Sequence, residues 1–276
     1  MADLPAAKSG ASALDVARQA ARAAADIMLP AYKSSGSTGL PVETTVKSRG
    51  NFLTKTDLEC EKAALAILAA EYPGVPVLAE ETSAAVSDWQ NGLLWVVDPI
   101  DGTANFARGI PTFAFNIALC SDGEPLLGLT LQPVTGDEFV GVVGQGLTVN
   151  GEPARVSPAE TMSECLTGFG LGYQYDRSKL ILGLLADIWP GLQMLQNVGS
   201  AAIALAYAAS GRFDLFVHSF LGPWDVAAGL AQVRAGGGLA LDRAGEQATI
   251  FSEGFVAGAS GPVREFVAAT KDRPWR

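Results

Sequence analysis

The stretch LLWVVDPIDGTANF, Leu93 to Phe106, decides how this chain is to be read. Leu93 to Val97 form an apolar, β-branched and aromatic run of the kind that buries a strand. That strand runs straight into Asp98 and Asp101, with Pro99 stiffening the gap and Gly102 permitting a tight turn behind them. Taken alone, DPIDGT has two open readings, a decorated β-turn and part of a reaction centre. A calcium-binding EF-hand loop is a third, and it fails. A strand precedes the motif, and the twelfth loop position would fall on Gly109 where a Glu is needed.

Working outward, the 276 residues suffice for one large domain or two ordinary ones with a substantial core. A net charge of −10 argues against non-specific binding to nucleic acid or anionic membranes, which need basic patches. An acidic protein can still act on phosphates by recruiting cations. Cys60, Cys120 and Cys165 lack CxxC spacing and read as core thiols in a reducing compartment. The N-terminal MADLPAAKSG has no apolar signal region, and no apolar run approaches the roughly 18 residues of a membrane span. A soluble, cytoplasmic protein is expected.

Ala11 to Tyr32 reads as an amphipathic helix ending near Pro30, followed by a mobile Ser/Gly-rich loop from Ser34 to Gly39. Thr56 with Glu59 has capping-box spacing for a second helix that stops at Tyr72-Pro73-Gly74, which places Asp57 in its first turn. Val75 to Leu78 is a short strand leading to Glu80 and Glu81. From Thr112 to Val156 β-segments are broken at Asp122-Gly123, Thr135-Gly136 and Asn150-Gly151. GQGLTVNG is no dinucleotide loop, because the required helix does not follow it.

Beyond Ser157, strands near Cys165–Phe169, Gln193–Val198, Phe213–Val217 and Phe255–Ala259 alternate with helices near Ser178–Ile188, Ser200–Ser210 and Pro223–Ala235. The expectation is an α+β protein, with an α+β lobe over 1–156, an α/β lobe over 157–276, and a cleft between layered sheets and helices.

Several chemistries are excluded. His218 is the single histidine, so no two-histidine phosphotransfer is possible, and no GxSxG stretch exists for a Ser-His-Asp triad. There is no cysteine-based phosphate loop, no paired aspartates one residue apart, and no P-loop. What remains is carboxylates at the ends of elements: Asp57, Glu80 with Glu81, Asp98 with Asp101, and Asp225 in GPWDVAAG. Converging acids of this kind repel unless cations compensate, and hard oxygen donors favour Mg²⁺ or Mn²⁺.

Here the residues meet a family. LWVVDPIDGTANF, with LAEET upstream and PWDVAAG downstream, closely resembles the inositol monophosphatases, Mg²⁺-dependent and lithium-sensitive phosphatases. The resemblance covers nearly the whole chain, including NFLTKTD, the Asn150-Gly151 hairpin with PARVS, and GSAAIALAYAASGRFD. It implies a layered αβαβα sugar-phosphatase-like architecture, two or three Mg²⁺ ions (Mn²⁺ as an alternative) and a homodimer. It further implies that Glu80, Asp98 and the Ile100 carbonyl hold a first metal, and that Asp98, Asp101 and Asp225 hold a second. Glu80 would touch a third. Asp57 and Thr103 would orient and deprotonate the attacking water. Gly102, Thr103, Gly199 and Ser200 would serve the phosphate and substrate, with Lys47 in the outer cleft and Glu81 in support.

The match weakens toward the alcohol. Gln196 and Asn197 stand where an Arg is usual, His218 where an inositol-binding Glu is expected, Asn51 where an Asp is common, and Ala79 where a Gly is. His218 is either a packed histidine or a substrate contact. The expected function is metal-dependent hydrolysis of a small polyol or sugar monophosphate. A 3′-phosphoadenosine-type or histidinol phosphate, or a non-catalytic binding role, are the alternatives. Trp224, beside Asp225, is placed either against a substrate ring or in the core.

Overall fold

The computed structural model describes residues 4–38, 43–48, 51–82, 91–273 and 275. The first half runs α1 (Ala13–Thr38), a hairpin of β1 (Thr44–Ser48) and β2 (Asn51–Thr54), α2 (Lys55–Glu71), β3 (Val77–Ala79), β4 (Leu93–Asp101) and the short α3 (Thr103–Ala107). It continues with β5 (Ala114–Ser121), β6 (Glu124–Gln132), β7 (Asp137–Val142), β8 (Gly146–Val149) and β9 (Glu152–Ala154). Strands β3 to β9 form one seven-stranded sheet in sequence order, with β3 parallel to β4 and every later pair antiparallel.

The second half runs β10 (Leu166–Gly170), α4 (Tyr175–Ile188), β11 (Met194–Gln196), α5 (Ala201–Ala209), β12 (Leu215–His218) and α6 (Pro223–Ala235). It ends with β13 (Leu239–Asp242), β14 (Phe255–Gly258) and α7 (Ser260–Ala269). Its five strands order as β11-β10-β12-β14-β13.

Strand β4 shows why the elements stack in five layers. Its residues alternate between two buried faces, which explains the unbroken apolar run in the sequence. Trp95 and Val97 pack with Val16, Ala20, Cys60 and Leu68 of α1 and α2. Leu94 and Val96 pack on the opposite side with Leu205, Val226 and Leu230 of α5 and α6. Those two helices meet the second sheet through Phe216 and Phe255, while Leu215, Val217 and Val256 turn outward to Ile181 of α4 and Phe266 of α7. The order is helix, sheet, helix, sheet, helix, as the resemblance implied.

Two glycines set the spacing of the middle layers. A Cβ on Gly128 of β6 would lie 2.2 Å from the Ala228 carbonyl oxygen, and one on Gly141 of β7 would lie 2.5 Å from the Gln232 Cα. Helix α6 therefore rests on the sheet backbone to backbone. The hairpin tips behave as read. Asp122 and Asn150 have φ of 52° and 54°, each followed by a positive-φ glycine, the backbone of a tight turn between twisted strands.

The structure departs from the sequence expectations in places. Helix α1 continues through Pro30 to Thr38, so Ser34–Thr38 is helical rather than a loop, while Gly39 lies outside the described residues. A proline deletes one amide donor, and α1 is held beyond it by Tyr32, whose ring packs 5.2 Å from Phe113 and whose hydroxyl donates to the Gly109 carbonyl. The capping box of α2 is Thr54 with Asp57, two residues earlier than the expected Thr56 with Glu59. Strands β1, β2 and β13 and helix α7 are additional elements. Among the described residues no helix is long and apolar enough to cross a membrane.

Candidate metal centre

Four elements deliver the acids. Strand β4 pairs Asp98 with Asn116 and Asp101 with Ala114, so a bulge containing Pro99 interrupts the ladder between the two aspartates. The bulge is closed by the Ile100 amide, which donates to Asp98 Oδ1 at 3.0 Å. Asp101 reaches across to the start of α5, where Oδ2 accepts from the Ala202 amide at 2.7 Å and from the Ser200 hydroxyl. Asp225 sits in the first turn of α6 and accepts from the Gly222 amide at 2.7 Å. One carboxylate oxygen from each of Asp98, Asp101 and Asp225 lies within 4.8 Å of the others.

Beside this trio, Asp57 caps α2 from the inside. Its Oδ2 accepts from the Thr54 amide at 2.8 Å, and its Oδ1 lies 3.2 Å from the Thr103 hydroxyl. The same hydroxyl lies 3.0 Å from the Ile100 carbonyl oxygen. Gly102 supplies the turn into α3 with φ of 92°, wedged so that a Cβ would meet the Thr112 and Gly199 carbonyl oxygens at 3.0 and 3.2 Å. Glu80 and Glu81 follow β3, and Lys47 Nζ bridges them at 3.1 and 2.5 Å.

The electrostatics describe a cluster short of positive charge. Burial, then repulsion from Glu80 and Asp101, pushes the Asp98 carboxyl well above the usual range. Asp225 is raised in the same sense by burial and then by Asp101 and Glu80. Burial also raises Glu80, opposed by Lys47, and raises Asp101, opposed by Ser200 and the Ala202 amide. Asp57 is pushed up to about 6 by burial, against its bonds from Thr54. For Lys47, burial works against the charge, but its bond to Glu81 and the nearby Glu80 raise it overall. Hard oxygen donors that hold protons against their ordinary values are matched to a divalent cation.

The acids open onto a cavity of about 520 Å³, whose wall includes Glu80, Asp98, Ile100, Asp101, Gly102, Thr103, Gly199, Ser200, His218 and Asp225. Asp57 meets that wall through Thr103, and Lys47 meets it through Glu80. His218 closes β12 as a packed residue. Its Nδ1 accepts from the Phe220 amide at 3.1 Å, and burial pushes it down to about 3, so it is neutral. A Cβ on Gly170 would fall 2.2 Å from the His218 ring. The three cysteines are buried and unpaired, with burial pushing each thiol up to about 12.

Two supporting residues escaped the sequence reading. Glu61, one turn after Asp57 on α2, is buried and accepts from the Glu81 amide at 2.9 Å, tying the Glu80–Glu81 turn to Asp57's helix. Asn105 of α3 donates to the carbonyls of Thr112 and Val198 at 2.7 and 2.9 Å, joining α3 to the segment before α5. The spacing of Asp57 and Glu61 on one helical face was the available signal for the first.

Residues 11–273 match the model of the inositol monophosphatase family. The chain belongs to that family. Among its relatives, Nus factor SuhB of Pasteurella multocida is 30% identical over 257 residues, covering 92% of this chain and 94% of that one. A Thermotoga maritima protein named fructose-1,6-bisphosphatase/inositol-1-monophosphatase is 33% identical, over 78% of this chain and 81% of that one. The solved structure of extragenic suppressor protein suhB from Bartonella henselae superposes with a TM-score of 0.84 at 28% identity, over 94% of this chain and 98% of that one. The five-layer fold of this chain is thus the inositol monophosphatase fold. Family members carry more than one activity name, so the alcohol is a question for the cavity itself.

Proposed function

We propose that the protein is a Mg²⁺-dependent phosphomonoesterase acting on a phosphate ester of polyol or sugar size. One observation carries this reading: three aspartate oxygens from β4 and α6 converge within 4.8 Å beside a buried Asp57–Thr103 pair. Glu80, Asp98 and the Ile100 carbonyl would hold one ion, Asp98, Asp101 and Asp225 a second, and Glu80 a third. Mn²⁺ suits the same oxygens. Such ions, when bound, lower the pKa of water and offset the charge of the phosphoryl group.

The chain's own groups supply the rest. The Thr103 hydroxyl, close to both Asp57 and the Ile100 carbonyl, orients the attacking water, and Asp57 Oδ1 takes its proton. Gly102, Thr103, Gly199 and Ser200 face the phosphate, and Lys47 holds Glu80 and Glu81 at the outer edge. Two lobes, 1–156 and 157–276, would enclose the substrate, with Asp225 contributed by the second. A homodimer belongs to the same proposal and is checked by light scattering.

The test is phosphate release from a panel of esters with and without Mg²⁺. Activity is expected to require the ion and to collapse in Asp98→Asn while the fold survives; full activity in that variant would remove the metal assignment. The relatives named Nus factor motivate a second reading, a binding role on the same scaffold. The complete set Asp57, Glu80, Asp98, Asp101, Thr103 and Asp225 favours turnover, since binding alone has no need of a water-activating pair.

A further inference from the structure

The metal end of the cavity is polar, with carboxylates beside the Ile100 carbonyl and the Thr103 and Ser200 hydroxyls, but another part of its lining has a different character. It is built from Phe169, Phe216, Phe220, Leu221, Trp224 and Ile250. Of the polar side chains that share this lining, His218, Asn197 and Glu253 each have one atom engaged by the protein. His218 Nδ1 accepts from the Phe220 amide at 3.1 Å, and its ring stands beside that of Phe216, centroids 6.0 Å apart, as part of the aromatic surface. Asn197 Oδ1 accepts from the Gly199 amide at 2.9 Å. Glu253 is held by Arg177 at 2.5 Å and by Arg243 at 3.1 Å. Arg177 in turn lies 5.1 Å from the centroid of the Phe220 ring, which props that ring in place. Asn51 and the half-exposed Tyr173 are the remaining polar side chains on this part of the wall.

A polyol carries a hydroxyl on nearly every carbon, each with one proton to donate and two lone pairs to fill. Those hydroxyls that lie against Phe220, Leu221 and Trp224 would exchange water for carbon, and an unpaired buried hydroxyl is costly. A flat apolar ring meets the opposite situation. It displaces water from aromatic faces and needs no polar partner at its far edge.

We propose that the ester hydrolysed here releases an alcohol bearing an aromatic ring, with the wall of Phe220, Leu221 and Trp224 selecting ring-bearing phosphate monoesters over hydroxyl-studded polyols. The inference rests on the phosphatase reading and specifies its substrate class. In the reaction water adds to phosphorus, the bond from phosphorus to the alcohol oxygen breaks, and that oxygen takes a proton. Inorganic phosphate and the ring-bearing alcohol are the products.

The experiment compares benzyl phosphate with glycerol 2-phosphate and inositol 1-phosphate, using the full chain with Mg²⁺. All three release alkyl-type alcohols, so leaving-group chemistry is nearly matched. The kcat/KM for benzyl phosphate is expected to be higher by roughly ten- to a hundredfold, the scale of burying one ring. Phe220→Ala is expected to reduce that preference at least about fivefold by raising KM for benzyl phosphate more than for glycerol 2-phosphate. Equal or reversed preference overturns the inference and leaves the phosphatase reading standing. If no ester is hydrolysed, the phosphatase reading falls, and calorimetry on the unaltered chain still judges the wall. Benzylphosphonate must then bind at least about tenfold more tightly than methylphosphonate, and equal binding overturns the inference.

Discussion

Asp98→Asn separates the cost of the acid cluster from its use. Asp98 is fully buried, and its Oδ1 accepts from the Ile100 amide, a bond that asparagine keeps with its own carbonyl oxygen. The substitution therefore removes charge while leaving the bulge closed. Two full charges at the 4.8 Å limit of the cluster repel by about 3.5 kcal/mol at an effective dielectric of about 20. Asp98 faces two such partners, but protons held on the raised carboxyls already relieve part of that repulsion. Metal-free Asp98→Asn is thus expected to be more stable than the parent by about 1–3 kcal/mol, or roughly 2–10 °C in Tm for a chain of this size. Added Mg²⁺ is expected to raise the parent's Tm and to leave the variant's nearly unmoved. The assay is thermal unfolding of both proteins in EDTA and then across a Mg²⁺ titration. A metal-free variant less stable than the parent, or one that keeps the parent's full Mg²⁺ response, refutes the reasoning.

Three further outcomes follow from the same geometry. His218 has its pKa depressed to about 3 by burial, so the unfolded chain takes a proton below about 6.5 that the folded chain refuses. Its contribution is complete above that pH and is lost as pH falls toward 3, reaching about 2 kcal/mol by pH 5. Urea unfolding at pH 7 and pH 5 should show the parent losing that much more than His218→Asn, and equal losses would mean the folded protein protonates His218. Gly128→Ala drives a Cβ into the Ala228 carbonyl and should cost about 1–3 kcal/mol or more while weakening the Mg²⁺ response, because α6 carries Asp225. An unchanged denaturation midpoint would contradict the contact. Glu61→Ala leaves the Glu81 amide without its acceptor, which should cost about 1–3 kcal/mol and shift the Mg²⁺ midpoint upward, whereas Glu61→Gln retains most of both. Identical behaviour of the two variants would show that the bond positions nothing.

How much of this was legible in the sequence depends on what a residue does. Asp98, Asp101 and Asp225 could be found because each stands at an abrupt change from apolar strand or to a helix start, and the structure brings their oxygens together. Helix α6 and the two-residue hairpin tips carried strong local signals in Pro223 and Asn150-Gly151. Strand β13 was missed because it is four residues long and follows a glycine run. The β1–β2 hairpin was missed because β1 is exposed throughout, so its apolar residues show no buried alternation. Thr54 lost its cap to Thr56 in the reading because two threonines flank Lys55, and only the fold shows which one closes strand β2. Residues that act on backbone leave little pattern, since their partners are distant amides and carbonyls: Glu61 showed only its helical spacing from Asp57, and Asn105 showed none.

The direct seating of α6 on β6 and β7 has a consequence for how such a protein can change. With no side chain between helix and sheet at Gly128 and Gly141, no rotamer can alter the distance between the layer holding Asp225 and the layer holding Asp98. The spacing of the two layers that carry these aspartates is set by main chain, while Phe220, Leu221 and Trp224 occupy the segment leading into that helix and its first turn. Under the proposed function, substitutions at Phe220 and Leu221 redraw the alcohol wall while that layer spacing is kept. Were the chain the phosphatase proposed, a single frame would in this way exchange one leaving group for another while its hydrolytic chemistry stays fixed.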